Sequence, residues 1–197
     1  MIRLKKFFFA LLAVILFATT AQAAQPVRIA RLPIVFQCSV PDNQTCTELE
    51  TKIQRAIHIP LNGTLQLADY LPENHSAQAL NDIWNELRSQ NKKAKLIDAI
   101  RPLANKIDAD IVVCPVLINY RQHVLNLSGW GETVVDSYAE AELIVFDRRT
   151  DILTDKKASR MYHDIYTLSG TASHLAKECF DKIIAESKLR DLIRAIR

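Results

Sequence analysis

The feature that most constrains the fold is a run at residues 110–118 (DIVVCPVLI), in which every position after the aspartate is apolar. A strand that is apolar at consecutive positions is covered on both faces, as the central strand of an α/β protein is. Further along, residues 133–146 alternate apolar and polar side chains, which is typical of a half-exposed antiparallel strand. These patterns predict a mixed α/β domain of three layers, with a central mixed β-sheet of about four to five strands and flanking helices.

Shorter patterns predict the remaining strands. Residues 27–36 (VRIARLPIVF) are mostly apolar and predict one strand, with Pro33 near an edge or a bulge. Residues 65–67 suggest a short strand. Residues 147–151 predict a turn, and residues 158–167 predict a return strand that forms a β-hairpin with the strand before the turn.

Apolar spacing of three and four residues predicts the helices. The first runs from about residue 45 to residue 57. Ser76 is a good N-cap for the second, and a further helical pattern up to Ile107 should kink or restart at Pro102. A long C-terminal helix is predicted from about residue 171 to residue 196.

The first 23 residues have the layout of a cleavable signal peptide. A positive segment with Arg3, Lys5 and Lys6 precedes an apolar run at residues 7–18, and small residues follow at Ala21 and Ala23. The apolar run of 12 residues is shorter than the roughly 20 that span a membrane, which disfavours the alternative of an uncleaved anchor. We therefore predict a cut between Ala23 and Ala24, one exported domain at residues 24–197, and a periplasmic or secreted location.

Charge argues against nucleic acid as a partner. Loss of the three basic residues of the leader lowers the count of Lys and Arg from 25 to 22, which equals the 22 acidic residues. A protein that binds DNA or RNA is expected to keep a basic excess. No second apolar stretch of spanning length follows the leader, so no stable membrane span is expected after processing.

All four cysteines lie in the exported part. Cys38 and Cys46 flank a polar segment, and either a disulfide that closes this loop or two free thiols fits the sequence. Cys114 lies in the apolar run and Cys179 on an apolar helix face, so both are predicted to be buried thiols.

Three stretches resemble the exported α/β domain shared by the TolB amino-terminal domain and the curli-secretion protein CsgG. They are residues 28–33 (RIARLP), residues 104–113 (ANKIDADIVV) and residues 145–147 (VFD). The resemblance implies the same α/β fold and a protein that acts through surfaces in envelope assemblies rather than through a catalytic pocket. It carries no site residues over to this chain, and the lipid-attachment cysteine of the lipoprotein members is missing.

No motif identifies a reaction, a cofactor or a metal. The five histidines lie in different predicted elements, and none pairs with another at metal-ligand spacing. Glu140 and Glu142 share a strand face with Asp136 and Tyr138, which indicates either an acid/base or cation site or, as we favour, a solvated strand face.

Three functional hypotheses follow. The first is a non-catalytic envelope protein that docks onto another envelope component, with Trp130, Tyr120 and His123 as candidate interaction residues. Trp130 lies between two glycines on a predicted loop and is either a partner-binding tip or packed back on the core.

The second hypothesis is a module that binds a small molecule or a metal, in a pocket that would gather these residues or Glu140. The third is a thiol or serine hydrolase, with Cys114 or a serine near a histidine. The sequence leaves the oligomeric state open.

Overall fold

The run at residues 110–118 forms the first half of the central strand of the sheet. The structure is a computed structural model and describes residues 25–91, 93–126 and 133–195. In these ranges the strands are β1 (Val27–Arg31), β2 (Val35–Phe36), β3 (Ala68–Tyr70), β4 (Ile111–Asn126), β5 (Thr133–Asp147) and β6 (Ile152–Ile165). The helices are α1 (Asn43–Ile57), α2 (Asn62–Leu65), α3 (Glu73–Gln90), α4 (Leu96–Lys106), α5 (Ala172–Glu186) and α6 (Leu189–Arg194), with a 3-10 turn at Leu168–Gly170.

The described strands form one mixed sheet. Its order is β3-β1-β4-β5-β6, and β2 pairs with β4 beyond the end of β1. The pairs that join β1 to β3, β1 to β4 and β2 to β4 are parallel, whereas β4-β5-β6 is antiparallel. The predicted mixed α/β fold is confirmed.

A separate core covers each face of the sheet. Ile111 and Val113 of β4 belong to the core under α1, α5 and α6, whereas Val112 and Cys114 belong to the core under α3 and α4. Successive side chains of a strand point to opposite faces, so a strand between two helical layers is apolar at every position. This arrangement accounts for the apolar run in the sequence.

Proline splits the first predicted strand. Residues 27–36 form β1 and β2, with Pro33 between them, because proline has no N–H to donate to a sheet. The strand suggested at residues 65–67 begins later, at Ala68. The residues before it form the short helix α2.

Two details of the helices differ from the prediction. The α3 helix begins at Glu73, so Ser76 is not its N-cap but lies in its first turn, buried, with its hydroxyl donating to the carbonyl of Pro72 at 3.2 Å. The α4 helix continues through Pro102 without a break. At the start of α1, Asp42 caps the helix by accepting the backbone N–H of Thr45 at 2.9 Å.

The predicted C-terminal helix is two helices. The chain breaks at Lys188, whose backbone has φ 51° and ψ 28°, the left-handed conformation that ends α5 and redirects the chain into α6. This turn allows Leu189 and Ile193 of α6 to enter the core beside α1. In a single straight helix, the apolar side chains of α6 would lie beyond the end of that core.

The hairpin is longer than predicted. β6 begins at Ile152 rather than near residue 158, and it pairs with the whole of β5. At the turn the carboxylate of Asp147, of which 3% is exposed, accepts two hydrogen bonds from the guanidinium of Arg149, at 2.9 and 2.8 Å. Burial by itself would raise the pKa of Asp147, but the contacts with Arg149 outweigh it and hold the pKa below its ordinary value.

Candidate functional site

The structure places Tyr120 and His123 on opposite faces of the sheet. A β-bulge between Leu117 and Asn119 shifts the register of β4. Tyr120 therefore lies opposite Ala139 and packs against the core under α5, whereas His123 lies opposite Asp136 and is exposed. Trp130 lies outside the described residues. The predicted interaction residues thus do not form one cluster within the described part of the chain.

Of the two alternatives for Cys38 and Cys46, the structure has the free thiols and not the disulfide. The Cys38 Sγ donates to the carbonyl of Leu117 at 3.5 Å, and the Cys46 Sγ donates to the carbonyl of Pro41 at 3.6 Å. Burial raises the pKa of both thiols, so neither is activated as a nucleophile.

The other two cysteines are buried, as predicted. Burial raises the pKa of Cys114 to about 12 and that of Cys179 to about 11. A thiol nucleophile needs a lowered pKa and access to substrate, and these residues have neither. In the ranges that the structure describes, no group of three or more His, Cys, Asp or Glu residues could hold a metal ion.

Exposed apolar side chains gather at the far end of the hairpin. Leu125, Val134 and Ile165 are directly paired across β4, β5 and β6, so they share one face of the sheet. Beside this row are further exposed side chains near the same strand ends. We define the apolar tip as Val124, Leu125, Ile165, Tyr166 and Leu168, which are 50%, 52%, 51%, 44% and 79% exposed.

Behind the tip, one face of the sheet carries paired polar rows. His123, Asp136 and His163 form the row next to the tip, and Arg121 and Tyr138 form part of the following one. The guanidinium of Arg121 lies 5.1 Å from the centre of the Tyr138 ring. The core under α3 and α4 includes no β5 residue before Ile144, so this stretch of the sheet lies beyond those helices.

A cleft of about 670 Å³ lies where this open face meets α3 and α4. Carboxylates of Glu140 and Glu142 line it from the sheet, and Trp84, Arg88 and Lys95 line it from the helical side. The prediction of a solvated face fails for Glu142, of which only 8% is exposed. β5 passes under the helices at this point, which covers Glu142 and leaves Glu140 half-buried.

Glu142 is the buried charge of this cleft. Its carboxylate lies 3.1 Å from the Nζ of Lys157 on β6, with Asp155 beside it. Burial raises the pKa of Glu142, and a hydrogen bond with Asp155 raises it further, whereas Lys157 opposes the shift. The same contact raises the pKa of Lys157.

The sequence matches no protein-family model and no curated protein. Solved structures that are similar include the lipoprotein GNA1162 from Neisseria meningitidis, at 16% identity and a TM-score of 0.39 over 81% of this chain and 99% of that one. The hypothetical protein CT253 from Chlamydia trachomatis has 12% identity and a TM-score of 0.45 over 83% and 96% of the two chains. The PelC dodecamer from Paraburkholderia phytofirmans has 10% identity and a TM-score of 0.38 over 82% and 89%. Similarities at these levels carry no argument about function.

Within the described ranges, no helix combines the length and the apolar character that crossing a membrane requires.

Proposed function

We propose that this chain is an exported, non-catalytic protein of the cell envelope that docks onto another envelope protein through its apolar tip. The leader at residues 1–23 supports export. The resemblance to the TolB and CsgG domains, which act through surfaces, supports docking. The single observation that carries the proposal is the gathering of exposed apolar side chains at one end of the hairpin.

Exposed apolar residues that occur singly are ordinary, but a contiguous group is typical of an interaction surface. The five residues of the tip lie at or just after adjacent strand ends; Leu125 and Ile165 stand in one cross-strand row, whereas Val124 points to the other face of the sheet. The polar row behind them, His123, Asp136 and His163, gives the surface an apolar centre with a polar rim. Protein interfaces have this composition.

The expected occupant is a different protein rather than a second copy of this chain. β6 is the edge strand next to the tip, and it carries Lys156, Lys157 and Arg160, of which Lys157 is paired with Glu142 and Arg160 with Glu178. Clustered cations on an edge strand oppose pairing between copies. We therefore expect a partner of different sequence whose surface is apolar where it meets the tip.

A small-ligand module is the second candidate, and the cleft with Glu142 is the observation that favours it. A buried carboxylate beside a tryptophan and two cations fits a polar ligand better than it fits a plain strand face. The hydrolase hypothesis has no comparable support, because the Cys114 thiol is fully buried with a raised pKa.

Site-specific photocrosslinking in a bacterial host tests the docking proposal. A photoreactive residue at position 125 or 165 should give one adduct with an exported protein, since those side chains would contact the partner. The matched control is position 61, because Leu61 is even more exposed, at 72%, but lies before α2, away from the tip. Ile165→Ser should reduce the adduct formed from position 125 by at least about tenfold, as expected for a residue central to the interface.

Two outcomes would contradict the proposal. One is an adduct of equal yield from position 61, which would mean that exposure alone determines crosslinking. The other is an adduct of twice the mass of the chain, together with a dimer in sedimentation experiments that Ile165→Ser dissociates. That result would make a second copy the occupant of the tip.

A further inference from the structure

Three arginines line one groove between the end of α1 and α6. Two adjoining concavities of about 460 and 540 Å³ lie there, and Arg55, Arg190 and Arg194 line both. Lys188 contributes to the first and His58 to the second. The buried side chains of Leu189 and Ile193 anchor α6, so its arginines project from a packed helix.

These arginines differ from the other arginines that the structure describes. Each of the others is paired with a carboxylate or lies over an aromatic ring; they are Arg28, Arg31, Arg101, Arg148, Arg149, Arg160, Arg88 and Arg121. Within the described residues, no carboxylate is paired with Arg55, Arg190 or Arg194. The nearby Asp181 is bound by Lys52, at 2.6 Å. Among the described arginines, those with neither a carboxylate nor a ring partner thus all line the same groove.

Helix dipoles account for only part of this arrangement. Arg55 lies in the last turn of α1 and Arg194 in the last turn of α6, where a cation is favoured. Arg190 lies one turn before Arg194 on the same side of α6, and like charges at that spacing repel each other, although Asp191, which also lines the groove, offsets part of this repulsion. An anion between them would remove the repulsion.

We propose that this groove binds a phosphate-bearing ligand, in which the guanidinium groups of Arg55, Arg190 and Arg194 each donate hydrogen bonds to phosphate oxygens. The planar fork of a guanidinium matches a phosphate, and several arginines together suit a ligand with more than one negative charge. Two adjoining concavities with shared arginines accommodate two linked phosphate groups. The site is independent of the docking surface, because α5 begins beside Gln122 near the tip and ends about 22 Å away beside the groove.

Calorimetric titration of the mature protein with inorganic pyrophosphate tests this site. Wild type should bind, and the double variant Arg190→Gln with Arg194→Gln should bind at least about tenfold more weakly. The matched control is Arg28→Gln with Arg101→Gln, which removes the same charge outside both the groove and the cleft of Glu142 and should change the affinity less than about twofold. The ligand-free melting temperature of the groove variant should equal or exceed that of wild type, because a repulsive pair is lost. If that variant does not fold, Arg55→Gln on α1 replaces it.

A second experiment distinguishes a soluble phosphate from a lipid headgroup as the ligand of the groove. Sedimentation with vesicles of phosphatidylglycerol, against vesicles of phosphatidylcholine, reports binding to a phosphate on a membrane. Binding in either experiment that depends on Arg190 and Arg194, and not on Arg28 and Arg101, supports the site and identifies the source. The proposal is overturned if wild type binds neither probe, or if both double variants weaken binding equally.

Discussion

At the scale of single residues, Glu142 is a buried carboxylate whose partner is mostly in solvent. Its side chain is 10% exposed, whereas that of Lys157 is 53% exposed. Burial favours the neutral acid, so the folded state binds this proton more tightly than the unfolded state does. The stability that results is present below the ordinary pKa of glutamate and is lost as the pH rises through the folded-state pKa.

Glu142→Gln should therefore stabilise the protein at neutral pH, by on the order of 1 kcal/mol, because glutamine has no charge to bury. The gain should shrink as the pH falls and wild type becomes protonated. Urea unfolding of both proteins between about pH 4 and pH 8 measures this difference. Glu140→Gln is the control, since Glu140 is half-buried. A difference that is constant with pH would show that the charge of Glu142 does not matter.

At the scale of elements, the break between α5 and α6 is set by one residue in a left-handed conformation. Glycine adopts this conformation without strain, whereas a residue with a Cβ is disfavoured by about 1 kcal/mol or more. The sequence has Lys188 there, and its side chain lines the arginine groove. The left-handed position is thus occupied by a residue whose charge adds to the groove.

Lys188→Gly should raise the free energy of unfolding by about 1 kcal/mol, because the strain at the break is relieved. Lys182→Gly is a matched control, since Lys182 is an exposed lysine within α5. There glycine should lower stability by about 1 kcal/mol. Thermal unfolding of both variants measures these two changes in stability. Loss of stability in Lys188→Gly would mean that the ordinary propensity of lysine for helices dominates at the break.

At the scale of the whole molecule, a single sheet lies between two hydrophobic cores, and described helices cover both of its faces. Residues 24–197 contain 22 Lys and Arg and 22 Asp and Glu, whereas residues 1–23 contain the excess of three basic residues. Although the net charge over residues 24–197 is zero, positive charge is concentrated in the groove of Arg55, Arg190 and Arg194. A neutral molecule can therefore still carry a strongly basic site.

The mature protein isolated from the periplasm or the medium should begin at Ala24, as intact-mass measurement would show. Replacing Ala21 and Ala23 with leucine should retain the precursor, because the specificity subsites of the peptidase accept small side chains. Gln22→Leu should be processed normally, since the middle position is not restricted. Accumulation of the full-length wild-type chain in the cytoplasm would contradict export.

Much of the fold could be predicted from the sequence, because periodicity records which faces of an element are covered. The consecutive apolar residues at 110–118 require two covering layers, and the alternation at 133–146 requires one. The turn at residues 147–151 and the hairpin follow from the same pattern. The split at Pro33 follows from the missing N–H of proline, which the sequence shows but does not locate within the sheet.

The sites depend on contacts between distant parts of the chain, and only the tertiary structure decides them. The bulge after Leu117 inverts the faces of β4, which turns Tyr120 rather than His123 toward the core under α5, and the cover of α3 and α4 buries Glu142 but not Glu140. Arg55 meets Arg190 and Arg194 only because the turn at Lys188 returns α6 to α1. Periodicity is a local property of the chain, whereas burial and charge clustering arise from packing between elements that are far apart in sequence.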